Sequence, residues 1–388
     1  MPEGREGRTR SAADADRLWV VVVLPALSDL PSGGYKVAYT YANHLAGRGH
    51  RVTVIHAARL SGDGVRHRPW RARAVRAWRE VRRTGDRFDY HVRRGHARPT
   101  WFELDERVEV RNIAYLLPRT IPRADVVVAT AVTTARVTAA ACRRSGATGI
   151  YLIQSYEDWL ADREVVDATW RLPLTNFVIA DWLADKGAEL GVGTVLVPNG
   201  IDLEAFPPGP PLAQRRNDVV ALASDVPNKR TDLLVLALRR VAELRGGLSA
   251  VVFGTCARPD GLPESVEYVR SPSPDQLSGL YRSAKVYLCT SDAEGWHLPP
   301  AEAMSSATAV VSTEIGGVMT YARGVSATAL AGDAASLAAQ VVGLLDDPQR
   351  CQELASAGLD RIRHHDEASA ARRFGDELEA AWRRDHCG

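Results

Sequence analysis

Short apolar runs rich in β-branched residues alternate along the chain with helix-length amphipathic segments. The first run, Leu18 to Leu24, ends at Pro25 and is followed by Ser32-Gly33-Gly34 and a helical pattern from Tyr35 to Arg48. Continuous apolar runs of this length are typical of strands in parallel sheets, because crossover helices cover both faces of such sheets. The opening segment therefore predicts a β-loop-α-β unit.

The same alternation predicts two α/β domains. A Pro/Gly-dense stretch, 198–212, separates two groups of strand-like runs and is the natural linker. We predict a disordered leader at 1–17, a Rossmann-like domain at 18–197, a second Rossmann-like domain at 213–365 and a C-terminal helix within 366–388. The strand-like runs are 18–24, 51–55, 124–130, 149–153, 176–180 and 194–197, then 218–223, 249–253, 285–289 and 309–311.

Composition narrows the class of protein. The chain has 388 residues, 45% of them hydrophobic, and a formal net charge of +2, so no overall field points to a nucleic-acid partner. Its five cysteines are scattered without C-x-x-C spacing, which favours reduced thiols in a cytosolic protein. No apolar run reaches the roughly 18 residues needed to cross a bilayer. We therefore expect a cytoplasmic protein, with peripheral attachment to a membrane as an alternative, and the sequence gives no signal of its oligomeric state.

One segment has a strong local positive charge, although the net charge of the whole chain is small. Eight arginines crowd around Trp70 and Trp78 between Arg66 and Arg83. A basic amphipathic helix can lie on anionic lipid, which would suit a lipid-linked substrate. A solvated arginine-rich helix explains the same pattern more simply, so weak membrane contact through 66–83 stays an alternative.

Two pairs of residues are placed where α/β sheets bind ligands, just after strands. Gly33 and Gly34 lack a β-carbon and would let backbone N–H groups approach a phosphate at a helix N-terminus, although a plain turn is equally consistent. Glu294 and Glu302 form an E-x7-E pair after the run 285–289. Carboxylates accept hydrogen bonds from neighbouring sugar hydroxyls. The alternative is that Glu302 caps a helix and Glu294 is solvated.

Four strings make a family resemblance specific. EGWHLPPAEAM followed by AVVSTEIGGVMTYA resembles the signature of retaining GT-B glycosyltransferases of glycosyltransferase family 4. VPNGID with Phe206 resembles the interdomain strand of that family, and SGGYKVAYTYANHLAGRGHRVTVI resembles its glycine-loop opening. The resemblance covers nearly the whole chain. It implies two Rossmann-like domains facing across a cleft, with a C-terminal helix that packs back on the N-terminal domain.

The resemblance also implies roles for individual residues. Glu302 would bind the ribose and Glu294 the transferred sugar, while Lys229 would stabilise charge on the diphosphate. Gly33 and Gly34 would close onto the same diphosphate. The base would lie near Val269 and Arg270, and backbone amides would hold sugar or phosphate at Gly295, Trp296, His297 and Leu298.

The acceptor side has a weaker signal. Gln154 stands where many relatives carry a histidine, and QSYEDW resembles the QxYExW pattern of a subset that includes bacterial rhamnosyltransferases. Tyr35, Gln154 and Glu157 are therefore predicted as sugar or acceptor contacts. Tyr156 and Trp159 in the same string would alternatively only pack the domain.

Several positions depart from the family pattern. Ala223 stands where the family usually has an arginine six residues before the lysine, and Arg230, where glycine is frequent, is a possible replacement. Ser306-Ala307 replaces the usual Cys-Gly, and Thr320 occupies a position that is commonly acidic. These departures concern the phosphate side of the predicted donor site more than the fold.

The predicted reaction is transfer of a sugar from a nucleoside diphosphate sugar to a glycan, lipid-linked or small-molecule hydroxyl. The family implies retention of configuration, no metal and no cofactor, and no D-x-D motif stands in a strand-end loop. Two alternatives remain open. A sugar-nucleotide 2-epimerase shares the architecture but needs acid and base carboxylates that we do not find. A non-catalytic nucleotide-sugar-binding subunit would be consistent with Ala223.

Overall fold

The structure is a computed structural model in which residues 17–26, 31–57 and 98–387 are described. The predicted leader and the basic segment 66–83 therefore fall outside the described residues, apart from Arg17. The chain divides into two compact units. Unit 1 contains the described residues up to Val178 together with 186–195 and the residues from Ala371 onward, and unit 2 contains 179–185 and 196–370.

Unit 1 is built on a seven-stranded sheet in the order β3-β2-β1-β4-β5-β6-β7. Its ladders run parallel, and the strand order reverses at the neighbouring pair β1 and β4. The strands are β1 Trp19–Leu24, β2 Arg51–Ala57, β3 Val108–Ile113, β4 Val126–Ala129, β5 Thr148–Ile153, β6 Thr175–Val178 and β7 Thr194–Leu196. The helices are α1 Gly33–Gly47, α2 Val132–Ser145, α3 Arg163–Trp170, α4 Asp181–Glu189 and α11 Glu367–His386, the last two shared with unit 2.

The C-terminal part of α11 completes the core of unit 1. Phe374 is buried and stacks on Tyr41 of α1 with ring centroids 4.3 Å apart. It also meets Phe177 of β6 edge to face at 5.9 Å. Arg48 reaches Asp376 at 2.5 Å beside this aromatic contact. The first and last parts of the described chain therefore share one core.

Unit 2 is built on a six-stranded parallel sheet in the order β10-β9-β8-β11-β12-β13. Here the strand order reverses at the pair β8 and β11. The strands are β8 Asn217–Leu222, β9 Ala250–Gly254, β10 Val266–Arg270, β11 Ala284–Cys289, β12 Ala309–Thr313 and β13 Ala327–Ala329. The helices are α5 Thr231–Arg245, α6 Pro274–Arg282, α7 Leu298–Ser305, α8 Gly316–Ala322, α9 Ala334–Asp346 and α10 Pro348–Ile362, with 3₁₀ turns at Leu212–Gln214 and Pro227–Lys229.

The predicted fold class, two Rossmann-like α/β domains, is confirmed. Two parallel sheets carry the predicted strands, with differences of one or two residues at most ends. Helix α7 begins at Leu298, and Pro299 and Pro300 suit the first turn of a helix. Three strands were not predicted, namely β3, β10 and β13.

Candidate functional site

The switch point of unit 2 brings together the two charged residues that the sequence assigns to catalysis. Lys229 closes the 3₁₀ turn that follows β8, and Glu294 lies in the loop that follows β11. Because β8 and β11 are parallel neighbours, both loops leave the same edge of the sheet. Lys229 Nζ lies 2.6 Å from Glu294 Oε1, and their side chains are 20% and 10% exposed. Lys229 and Glu294 therefore form a largely buried ion pair.

Backbone hydrogen bonds hold these two loops against each other. The Asn228 side-chain amide donates to the carbonyl of Ala293 at 2.7 Å, and the Asp292 N–H donates to the carbonyl of Asn228 at 2.8 Å. The Thr290 hydroxyl donates to the carbonyl of Lys229 at 3.1 Å. The lysine and the carboxylate are therefore positioned by backbone contacts as well as by their own charges.

Electrostatics keep Glu294 ionised. Burial alone would raise the pKa of its carboxyl, but contact with the Lys229 ammonium opposes burial, and the pKa lies below the ordinary value. The Glu294 carboxylate is thus a strong hydrogen-bond acceptor at neutral pH. It matches the acceptor that sugar hydroxyls need.

The residues between the two glutamates do not share one role. Trp296 is a core residue, packed on Tyr321 with ring centroids 4.5 Å apart. The carbonyl of Gly295 accepts a hydrogen bond from the Trp182 indole at 2.9 Å. Leu298 opens α7, where backbone N–H groups and the helix dipole favour an anion. His297 precedes the helix as its N-cap, with its side chain buried.

Glu302 lies within α7 and is buried. The hydroxyl of Tyr281 donates to its Oε2 at 2.9 Å, and burial raises the pKa of Tyr281, so this tyrosine stays a donor. The proposed ribose contact therefore starts from a carboxylate that one buried hydroxyl already orients. Sequence analysis missed Tyr281, since a tyrosine in an amphipathic helix resembles an ordinary core residue.

Two glycines let α8 approach the Glu294 loop. A β-carbon at Gly317 would lie 2.5 Å from the carbonyl oxygen of Glu294, and one at Gly316 would lie 2.5 Å from the ring of Trp182. Both distances are far inside van der Waals contact, so a larger residue at Gly317 would displace the Glu294 loop and one at Gly316 would displace Trp182. The string IGG was part of the resemblance, but its packing reason becomes visible only in three dimensions.

Arg230 is already engaged by unit 2 itself. Its guanidinium contacts Asp292 at 2.7 Å and Asp232 at 2.9 Å, and these carboxylates raise its pKa further. Arg230 also has φ of 51°, in the left-handed region that favours glycine. Ala223, the position of the missing arginine, is fully buried. Replacement of the missing charge by Arg230 would thus require the guanidinium to leave two carboxylates.

The predicted base-binding residues lie at the carboxyl end of β10. Arg270 Nε donates to the carbonyl of Thr255 at 3.3 Å. Val269 lines a surface cavity of about 370 Å³ between β10 and α6, together with Arg216, Glu267, Gln276 and Leu280. This cavity is not lined by Lys229, Glu294 or Glu302, so its size alone does not identify a donor site. The space lined by Lys229, Ser291 and His297 is too narrow for a water molecule.

Gly33, Gly34 and Gln154 come together in unit 1. The two glycines open α1, and the Gln154 amide donates to the carbonyl of Gly34 at 3.1 Å. A β-carbon at Gly34 would lie 3.3 Å from that amide, which is a tight contact. Tyr35 is directed elsewhere, since its hydroxyl donates to the carbonyl of Ala26 at 3.1 Å.

Glu157 is bound to a helix end rather than exposed for a ligand. Its Oε2 accepts the N–H of Val132, the first residue of α2, at 2.5 Å. Burial raises the pKa of this carboxyl to about 7. Tyr156 donates to Asp167 at 2.6 Å, whereas Trp159 is 44% exposed. Simple packing therefore explains Tyr156 but not Trp159.

Two features are absent from the part of the chain that the structure describes. Among the described residues, no group of three or more His, Cys, Asp and Glu side chains could hold a metal ion. No described helix combines the length and apolar character that a bilayer crossing requires. The predicted lipid-contact segment, 66–83, is outside this part of the chain.

Comparisons with known proteins add to this geometry. Residues 216–347 match the family model described as Glycosyl transferases group 1. The chain is 31% identical over 253 residues to D-inositol 3-phosphate glycosyltransferase 2 of Catenulispora acidiphila, which covers 57% of this chain and 56% of the relative. A D-inositol 3-phosphate glycosyltransferase of Kineococcus radiotolerans is 31% identical over 228 residues, covering 49% of this chain and 52% of the relative. The chain thus spans about half the length of the curated relatives it matches.

Solved structures resemble the chain along nearly its whole length. Anabaena HepE in complex with UDP-glucose has a TM-score of 0.68 at 16% identity, covering 94% of this chain and all of that one. Sucrose-phosphate synthase from Thermosynechococcus elongatus has a TM-score of 0.68 at 16% identity, covering 94% of this chain and 99% of that one. These likenesses confirm the GT-B fold. The family match covers the segment that carries Lys229, Glu294 and Glu302.

Proposed function

We propose that this chain, whose residues 216–347 form a group 1 glycosyltransferase domain, moves a sugar from a nucleoside diphosphate sugar to a hydroxyl with retention of configuration. The observation that carries the proposal is the 2.6 Å contact between Lys229 Nζ and Glu294 Oε1 at the switch point of unit 2. It places a cation beside a carboxylate. The cation stabilises the charge that grows on a leaving diphosphate, and the carboxylate accepts hydrogen bonds from sugar hydroxyls.

The proposed step is metal-independent. The bond between the anomeric carbon and the phosphate oxygen breaks, and the acceptor oxygen forms the new bond on the same face. The acceptor proton passes to the leaving phosphate oxygen, so the products are the glycoside and the nucleoside diphosphate. Lys229 and the N–H groups at the start of α7 stabilise the charge on the diphosphate, and Glu302 binds the ribose.

Donor and acceptor classes follow from the relatives as testable choices. HepE is crystallised with UDP-glucose, so UDP-sugars are the first donors to test on this chain. The relatives are named for D-inositol 3-phosphate, which makes that polyol the first acceptor. The QxYExW string around Gln154 keeps a rhamnosyl donor and a glycan or lipid-linked acceptor in the panel. We propose a cytoplasmic enzyme.

The test is product formation from defined substrates. Purified protein is incubated with UDP-, dTDP-, GDP- and ADP-sugars, with and without acceptors, and nucleoside diphosphate release is measured with and without EDTA. We expect acceptor-dependent release from one base that is unchanged by EDTA, and a product whose anomeric configuration by NMR equals that of the donor. An inverted product, or activity that EDTA abolishes, would contradict the mechanism.

The same assay separates the two alternatives. An epimerase would interconvert sugar nucleotides without acceptor, which NMR of the donor detects. A non-catalytic subunit would bind one donor, seen as a rise in melting temperature, but would release no nucleoside diphosphate from it. Either result would replace the transferase proposal.

A further inference from the structure

The backbone of His297 is strained at the centre of the candidate site. Its φ is 57° and its ψ is 89°, in the left-handed region where a β-carbon is disfavoured and glycine is relaxed. A histidine nevertheless occupies this position with its side chain buried. Strain of this kind persists only where the surroundings hold it, and it is frequent at functional sites. The imidazole therefore requires an explanation.

The ring of His297 lies between a thiol and the Glu294 carboxylate. Its Nδ1 is 3.4 Å from Cys289 Sγ, and its Nε2 is 3.8 Å from Glu294 Oε1. The main chain of His297 is held in place, because the Tyr321 hydroxyl donates a hydrogen bond to its carbonyl at 2.8 Å. Among the described residues, Nε2 has no hydrogen-bond partner. Buried polar nitrogens are rarely left in this state.

The protonation of this ring follows from its surroundings. Burial lowers the pKa of His297 to about 3, so the imidazole is neutral and carries one N–H. Burial also raises the pKa of Cys289, so the thiol keeps its proton. An Nε2 lone pair facing a carboxylate oxygen would be repelled, whereas an N–H there is attracted. The proton therefore sits on Nε2, and Nδ1 accepts from the thiol.

At 3.8 Å the Nε2–H is too far from Glu294 for a hydrogen bond. The oxygen that it faces is already occupied, because Lys229 Nζ lies 2.6 Å from it. A diphosphate would attract the ammonium away from Glu294. The carboxylate would then remain, largely buried, without its cation. His297 Nε2–H lies on the same loop and, among the described residues, has no other hydrogen-bond partner, so it is available to approach this oxygen.

We propose that His297 is a positioning residue that takes over Glu294 Oε1 when the diphosphate engages Lys229, and so holds the carboxylate ionised and oriented toward the sugar. This rests on the proposed function, since it assumes a nucleoside diphosphate donor. The Ser291 hydroxyl also hydrogen-bonds Glu294. His297 is distinct from it because its Nε2 is unused in the present structure.

The first test uses turnover. His297→Gly suits the local φ but leaves a cavity, and His297→Asn tolerates positive φ while keeping a short amide donor. With UDP-glucose, or whichever donor turns over in the panel, we expect kcat of His297→Gly to fall about tenfold, the loss of one hydrogen bond to a charged group. KM should change less, and His297→Asn should recover part of the loss. Melting temperatures of both variants identify any loss that is due to unfolding.

The second test measures protons rather than turnover. Calorimetric titration with UDP at pH 6, in buffers of different ionisation enthalpy, reports proton uptake on binding. Proton uptake is expressed relative to wild type, in which His297 keeps Glu294 ionised, because the terminal phosphate of UDP has a second pKa of about 6 and itself exchanges protons on binding. On this scale His297→Gly should take up a measurable fraction of a proton, and Glu294→Gln/His297→Gly should not.

The outcomes distinguish the inference from the function on which it rests. Wild type that neither binds nor turns over any nucleoside diphosphate sugar would overturn the proposed function. Wild type that is active beside a His297→Gly variant with unchanged kcat and no proton uptake would overturn only the role of His297. Equal losses in folded His297→Gly and His297→Asn, without proton uptake, would also overturn it, since the ring would then only fill space.

Discussion

The two units are both built on parallel sheets, but they differ in which residues adopt positive φ. Among described residues, positive φ in unit 1 is confined to glycines, at Gly49, Gly146 and Gly191. In unit 2 four residues with side chains adopt it, namely Arg230, Ser271, His297 and Ala307. Three of these four follow strands at the carboxyl edge of the sheet, where ligands bind in such folds. The comparison teaches that strain is concentrated in the unit whose loops carry the ion pair.

The side chains proposed for chemistry differ in the same way. In unit 1, Gln154 and Glu157 bind backbone groups at the beginnings of α1 and α2. In unit 2, Lys229 and Glu294 bind each other. A carboxylate that caps a helix is structural, whereas a buried ion pair between two loops can open for a ligand. Four substitutions test this contrast, given in order of decreasing expected effect.

The largest effect is expected for Lys229→Met. Loss of a preorganised cation at the leaving group typically lowers kcat by about 10²- to 10³-fold. Steady-state release of nucleoside diphosphate measures it. The matched control is Lys285→Met, which removes a lysine paired with Asp218 at 2.9 Å elsewhere in unit 2. Comparable losses of activity in both variants would mean that loss of any paired lysine of unit 2 lowers kcat, and that Lys229 has no specific role at the leaving group.

The second test concerns Glu157, which the contrast makes structural. Its folded pKa of about 7 lies above that of an unfolded glutamate, so the protonated form is favoured in the folded state. The stabilisation is fully present below about pH 4.5 and is lost as pH rises through 7, by up to about 3 kcal/mol. Glu157→Gln should remove this dependence while still accepting the Val132 N–H.

Chemical denaturation at several pH values measures the difference between wild type and Glu157→Gln. The free energy of unfolding of the variant should increase relative to that of wild type as pH rises from 5 to 8. The exposed Glu164, in the first turn of α3, serves as control, since Glu164→Gln should produce no such slope. A flat difference for Glu157→Gln would show that this carboxyl is not held protonated by burial.

The third test uses the close approach of α8 to the Glu294 loop. Gly317→Ala would place a β-carbon 2.5 Å from the Glu294 carbonyl oxygen, and overpacking of this kind costs about 1 to 3 kcal/mol. Displacement of Glu294 should lower kcat together with stability. Gly343→Ala is the control, because it lies within α9 with no atom within 4 Å of the added carbon and should stabilise slightly. Thermal unfolding and turnover of both variants check this.

The smallest effect isolates backbone strain itself. Ala307 has φ of 53° after α7, so Ala307→Gly should stabilise unit 2 by no more than about 1 kcal/mol. The same exchange at the exposed Ala339, inside α9, should destabilise by a similar amount. Melting temperatures that shift in the same direction in both variants would show that the positive φ at Ala307 carries no measurable strain.

Local signals were sufficient for much of the fold. Buried strands such as β1 and β11 are continuous apolar runs, and they were predicted within two residues. Strands β3 and β10 lie at sheet edges and mix polar with apolar residues, with neither a continuous apolar run nor strict alternation, as in Val-Glu-Val-Arg-Asn-Ile and Val-Glu-Tyr-Val-Arg. Strand β13 has only three residues. Edge exposure and short length remove the pattern on which prediction depends.

The site was predictable only in part. Lys229 and Glu294 each follow a strand, so sequence order and sheet topology place them near each other. The hydrogen bond from Tyr281 to Glu302, the approach of Gly317 and the ring contacts of His297 depend on side-chain packing between distant elements. Conversely, Tyr35 and Glu157 matched a motif, yet the structure engages both with backbone groups. Their predicted acceptor roles stay predictions.

The contribution of α11 to unit 1 has a consequence for synthesis on the ribosome. Phe374, which stacks on Tyr41, is translated after residues 196–370 of unit 2. Residues 186–195 are the part of unit 1 that directly precedes this stretch. At about 5 to 20 residues per second, roughly 10 to 35 s pass between their synthesis and the synthesis of the part of α11 that carries Phe374. During that interval the aromatic face around Tyr41 and Phe177 lacks its covering helix. The unit that emerges first is therefore completed last, and until then Tyr41 and Phe177 lack the ring contacts that Phe374 supplies.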